Sequence, residues 1–118
     1  MSLREDIIIE PEKVCGQIEE FIRRKMEDLE RDGLLIGLSG GLDSSVVAAL
    51  SARAAGKDRV YAIYMPERDS DPKHGKDASL FAKSLGIGFE YRPLTKQIKS
   101  FASYRLLPFR FIPGWLKK

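Results

Sequence analysis

Nine consecutive residues, Gly37-Leu38-Ser39-Gly40-Gly41-Leu42-Asp43-Ser44-Ser45, gather three glycines, three hydroxyls and one carboxylate. Glycine lets a backbone turn sharply and approach a ligand with no Cβ in the way. Where such a turn leads into a helix, the first N–H groups point at whatever fills the turn, and the macrodipole favours negative charge there. Ser39, Ser44 and Ser45 add hydroxyl donors, so the stretch describes a phosphate cradle without lysine. Asp43 needs its own reason, because a carboxylate beside phosphates is repelled unless a cation lies between them. Magnesium takes one or two carboxylates together with phosphate oxygens and is the natural bridge. The competing role for Asp43 or Ser44 is to cap the helix, worth about 1 kcal/mol.

Two other patterns bear on the same residues. A Walker A loop needs a lysine after its glycines, and none follows here. Gly37-Leu38-Ser39-Gly40-Gly41 does satisfy the G-x-S-x-G nucleophile elbow, with His74 as the sole histidine to act as base and an aspartate between Ser39 and His74, such as Asp58, to orient it. Against this, a hydrolase sheet needs far more chain. His74 also falls in the polar stretch Asp71-Pro72-Lys73-His74-Gly75, read as a loop, where solvation is the ordinary state.

The elements that must position the loop follow from periodicity. Val14, Ile18, Phe21, Ile22, Met26 and Leu29 recur at helical spacing from Pro11 to about Leu29. Leu34 to Leu38 is a short apolar run bounded by glycine, which predicts a buried strand. A helix is expected from near Asp43, with Val46, Val47, Leu50 and Ala54 inward and Gly56 in the left-handed terminating conformation. Val60 to Tyr64 predicts a second buried strand, ended by Met65 and Pro66, and Glu67 to Gly75 a polar loop. Ala78, Phe81, Ala82 and Leu85 mark the next helix, ended by Gly86, and Ile87, Phe89 and Tyr91 alternate as a third, edge, strand. Beyond Pro93, Leu94, Ile98 and Phe101 make one short helical face, and Leu106 to Lys118 has no clear period. Strands alternating with helices imply an α/β fold with a parallel sheet, right-handed crossovers and the cradle at the carboxyl end of the first strand.

Composition sets the remaining bounds. With 118 residues, 43% hydrophobic and 31% charged, residues 1–118 suit a single domain with one core. The net charge of +3 comes from 20 basic and 17 acidic residues with no long run, so a nucleic-acid partner is not expected. Cys15 is alone, which points to a reducing, cytoplasmic setting and excludes a cysteine-rich metal site. The isoleucine run near the amino end is too short for a membrane span, and no membrane partner is expected.

Ser39-Gly40-Gly41-Leu42-Asp43-Ser44 resembles the SGGxDS pyrophosphate loop of the N-type ATP pyrophosphatases, the PP-loop superfamily. That superfamily includes NAD, GMP and asparagine synthetases and tRNA-thiolating enzymes. The flanks are more specific: Ile36-Gly37-Leu38, Val46 to Leu50, Met65-Pro66-Glu67-Arg68-Asp69-Ser70, and Asp77-Ala78 leading to Ala82, Leu85, Gly86 and Ile87. With the preceding helix they resemble the amino-terminal half of ammonia-dependent NAD synthetases, from about Ile8 to Phe101.

The resemblance implies a Rossmann-like, adenine nucleotide alpha hydrolase-like sheet with helices on both faces, here cut to three strands. It implies an ATP-dependent carbon–nitrogen ligase acting on ATP, deamido-NAD and ammonia, with magnesium as cofactor and a homodimer as the assembly. Carried over, Gly37, Leu38, Ser39, Gly40, Gly41, Leu42, Asp43 and Ser44 bind the ATP phosphates and Asp43 ligates magnesium. Tyr64 and Met65 face the adenine, while Arg68 and Lys76 are weaker phosphate contacts, since exposed loop charges are usually only solvated. Family members are considerably longer, and their later half supplies further strands, another magnesium carboxylate and most deamido-NAD contacts. A shortened or inactive relative, another PP-loop enzyme, or a non-catalytic nucleotide-binding module remain alternatives. A tRNA modifier would call for a cysteine pair or a basic, aromatic stripe, and only Cys15 is present.

Overall fold

A computed structural model describes residues 8–67 and 70–100. Pro11 sits at the first helical position and opens α1, Pro11–Asp28. The chain then runs through β1 (Leu34–Gly37), α2 (Leu42–Ala55), a 3-10 turn (Lys57–Arg59), β2 (Val60–Tyr64), α3 (Pro72–Leu85), β3 (Gly88–Tyr91) and α4 (Thr95–Ser100).

The strands form one parallel sheet in the order β1-β2-β3. Leu34 to Gly37 pair with Val60 to Ile63, and Tyr61 to Tyr64 pair with Gly88 to Tyr91. Because strand order follows chain order, two right-handed crossovers land on the same side of the sheet. On that side Ile36, Leu38, Val60, Ala62, Tyr64 and Ile87 pack against Ala48 of α2 and Ala78 and Ala82 of α3. Ala48, Ala62, Ala78 and Ala82 are all fully buried, which lets the helices lie close to the strands. The parallel, Rossmann-like sheet is as expected. The expected cover on both faces differs: among the described residues α2 and α3 share one face, and on the other Leu35 is 69% and Tyr61 43% exposed. The outer edge of β1 has no strand neighbour among the described residues, leaving a row of backbone donors and acceptors open.

α1 packs across α2. Arg53 Nε lies 2.9 Å from Glu19 Oε1, and the Glu19 side chain is only 12% exposed, so the pair sits partly inside the helix–helix contact. The apolar stripe of α1 is only partly buried: Met26 is buried, whereas Phe21 and Leu29 are exposed. On the outer face of α1, hydrogen bonds from Arg24 and then Arg23 hold the Glu20 carboxyl below its ordinary range.

Two details depart from the sequence reading. The expected loop Glu67 to Gly75 is shorter, because the Asp71 carboxylate accepts the Lys73 N–H at 2.9 Å and Pro72 starts the helix, placing His74 in the first turn of α3. Gly56 has φ 92° and ψ 144°, a positive φ but not the left-handed helical conformation; Gly86, at φ 71° and ψ 20°, adopts that one. α4 includes Ile98, but Phe101, the segment after Leu106, Arg68 and Asp69 lie outside the described residues. No helix among the described residues is long and apolar enough to cross a membrane.

The alanine layer makes a direct demand on volume. Ala82→Leu is expected to lower stability by about 1–3 kcal/mol through overpacking, read as a reduced urea midpoint at unchanged slope. Ser79→Leu, on the exposed side of the same helix, should stay within about 0.5 kcal/mol. Equal midpoints for the two variants would contradict the packing described.

Candidate nucleotide-binding site

The loop between β1 and α2 is anchored at its entry. Leu38 is almost wholly buried, and its N–H donates to the Ile63 carbonyl at 2.9 Å, prolonging the ladder one residue past β1. Two residues later Gly40 turns with φ +83°. A Cβ there would stand 2.4 Å from the His74 carbonyl oxygen and 3.0 Å from His74 Cα. Glycine is therefore required twice over, by conformation and by the close approach of the α3 backbone.

Serine hydroxyls shape the rest of the loop. The Ser39 N–H donates to Ser44 Oγ at 3.0 Å, the two hydroxyl oxygens are 2.8 Å apart, and the Gly41 N–H donates to Ser39 Oγ at 3.2 Å. Ser45 Oγ donates to the Gly41 carbonyl at 2.7 Å. The three hydroxyls expected to face a ligand thus staple the turn to the helix it enters. What they leave for an anion is backbone. Gly41 is the N-cap of α2, with extended dihedrals and no side-chain cap. The first-turn N–H groups of a helix have no partner within it, so those of Leu42, Asp43 and Ser44 face outward. Neither Asp43 nor Ser44 caps α2, which removes the competing role for both.

Asp43 is exposed in the first turn of α2, and among the described residues its carboxylate makes no hydrogen bond or ion pair. No group of three or more acidic, histidine or cysteine side chains comes together among the described residues. A single free carboxylate beside helix N–H groups without intrahelical partners is a donor set that magnesium could use, since it takes only one or two carboxylates and fills its shell with other oxygens, and one that metals requiring several protein ligands could not.

Beside the loop, at the carboxyl ends of β1 and β2, lies an open cleft of about 400 Å³ whose lining includes Gly37, Ser39, Met65, Pro66, Ser70 and His74. A second cleft, of about 450 Å³, lies toward β3 and includes Tyr64, Lys76, Tyr91 and Thr95. Tyr64 is buried and lines both clefts. Gly75 gives it room, since a Cβ there would stand 2.9 Å from its ring, and Tyr91 lies on it with ring centroids 5.9 Å apart. Met65, by contrast, is exposed toward the first cleft. Lys76 lines the second cleft and not the one beside the glycine loop, and Arg68 lies outside the described residues.

The hydrolase reading fails on geometry. Ser39 Oγ is engaged with Ser44 and Gly41, and Asp58 lies in the turn before β2, at the opposite end of the sheet from Ser39. The sequence reading also missed that His74 meets the loop. The signal was Asp71-Pro72, a cap followed by a first-turn proline, which moves the start of α3 back to the cleft.

With this geometry in view, similarity to known proteins is specific. The family model described as NAD synthase matches residues 14–108. Among relatives, the NH3-dependent NAD synthetase of Methanocaldococcus jannaschii is 39% identical over 84% of this chain and 38% of its own length. That of Thermotoga neapolitana is 44% identical over 77% and 31%, and that of Rhizobium rhizogenes 50% over 73% and 25%. The chain thus spans well under half of the relatives it matches. Among solved structures, the NH3-dependent NAD synthetase of Campylobacter jejuni superposes with a TM-score of 0.75 at 28% identity, covering 82% of this chain and 42% of that one. The glutamine-dependent NAD synthetase of Acinetobacter baumannii, solved in complex with ADP, gives 0.68 at 31%, covering 79% and 18%. A family model matched from α1 past α4, with relatives sharing the loop-bearing fold, leads to one assignment: the chain belongs to the NAD synthase family.

Proposed function

We propose that residues 1–118 form one ATP-binding domain of an NAD synthetase, and that Gly37 to Ser44 grip the triphosphate. The observation that carries this is the uncapped first turn of α2, fed by a glycine turn and flanked by the unengaged Asp43 carboxylate. The ADP complex of the Acinetobacter relative supports a nucleotide as the ligand. In the reaction proposed, the nicotinate carboxylate of deamido-NAD attacks the α-phosphorus of ATP, the bond to the pyrophosphate oxygen breaks, and ammonia then displaces AMP to leave the amide of NAD.

The contribution of these residues is electrostatic. Fixed N–H groups at the start of α2 meet the charge that develops on the departing pyrophosphate, with no reorganisation needed at that moment. Asp43 would hold magnesium, whose chemistry is to neutralise phosphate oxygens. Met65 and Tyr64, at the exit of β2, would border the adenine. A homodimer in the cytoplasm completes the proposal, supported by the open edge of β1 and the exposed Leu35 and Tyr61 beside it. A sedimentation mass matching one 13.3 kDa chain would exclude the dimer.

Calorimetric titration with MgATP tests the site. Wild type should bind, Asp43→Ala should lose at least about tenfold in affinity, roughly 1.4 kcal/mol, and Gly40→Ala should not bind detectably while keeping the wild-type circular dichroism. No binding by the wild type would end the proposal. Turnover is read separately, as AMP and NAD formed from ATP, deamido-NAD and ammonia. Binding without AMP formation would favour a nucleotide-binding module over a ligase.

A further inference from the structure

His74 is the only histidine of the chain, and three observations bring it to the phosphate loop. Its backbone is pressed against the turn, since its Cα and carbonyl oxygen would lie 3.0 and 2.4 Å from a Cβ on Gly40. It lines the same cleft as Gly37 and Ser39. It is exposed, and among the described residues its imidazole makes no hydrogen bond or ion pair, so nothing in the fold accounts for it. The cap at Asp71 holds this arrangement, because it fixes the helical start that sets His74 three residues on, with the His74 N–H donating to the Asp71 carbonyl at 3.1 Å.

We infer that His74 is a phosphate-binding residue, donating an imidazole N–H from the first turn of α3 to the polyphosphate of the nucleotide. The inference rests on the proposed ATP site and adds to it a contact from a second element. Imidazole donates at least one N–H in either protonation state, so the contact needs no charge on the ring. A bond from such a donor to an ionised phosphate oxygen is of the stronger, charge-assisted kind. The arrangement also gives Gly40 a second consequence: a turn that could not approach α3 would leave His74 out of reach of a ligand seated on the loop.

Titration of the full chain with MgATP and with magnesium pyrophosphate separates this inference from the site itself. His74→Ala is expected to weaken both ligands about tenfold with an unchanged melting temperature. His74→Lys, which supplies another N–H donor, should recover most of that loss, a recovery a purely structural role would not produce. If His74→Ala binds both ligands as wild type does, or if lysine recovers nothing, the inference is overturned while the loop proposal stands. If the wild type binds neither ligand, both fall together. If Gly40→Ala alone loses binding, the loop is right and His74 is a bystander.

Discussion

The site depends on one close contact, the Gly40 backbone against the His74 carbonyl. A turn with φ +83° that must also pass within touching distance of another main chain admits only glycine. This contact ties the end of β1 to the start of α3, although the two are far apart in sequence. The Ser39 and Ser44 hydroxyls then fix the turn to its own helix. With the turn held from both sides, the N–H groups at the start of α2 keep their direction whether or not an anion is present. That is preorganisation, the condition under which fixed dipoles contribute most to charge stabilisation.

The sheet supplies the rigidity behind this contact. Each strand hands its carboxyl end to one wall of the site: β1 to the loop, β2 to Met65 and Pro66, and β3 to Tyr91 lying on Tyr64. Alanines at the helix–sheet boundary allow close packing, and close packing sets how near α3 comes to the loop. A larger side chain at Ala78 or Ala82 would act on the site as well as on stability, because α3 carries His74 and Gly75 at its other end. The sheet face and the β1 edge that no described residue covers have the opposite character. They are apolar and unpaired surfaces of the kind that association buries.

Much of this was legible in the residues, for identifiable reasons. The run Leu34 to Leu38 and the stripe through Ala78 and Ala82 are strong periodic signals, and glycines bracket them, so the alternation of strand and helix could be read directly. The loop was legible because its glycines and serines have few other uses in that order. Less legible was what depends on tertiary contact. The serine hydroxyls read as ligand donors, yet they bond to one another because the turn brings Ser39 and Ser44 together. Phe21, Met26 and Leu29 read as one helical face, yet of the three Met26 alone is buried, and α1 meets α2 at the Arg53–Glu19 pair. The arrangement of helices on one face followed from strand order, which periodicity does not encode. Asp71-Pro72 was a local signal that a polar neighbourhood masked.

The central claim is that the backbone at the start of α2 is what holds a polyphosphate. Amide proton and nitrogen chemical shifts of the labelled chain, followed as MgATP is added, address it residue by residue. The largest changes are expected at Gly40, Gly41, Leu42, Asp43 and Ser44, with the amides of α1 unmoved. Saturable shifts confined to other elements, or none within the loop, would contradict it.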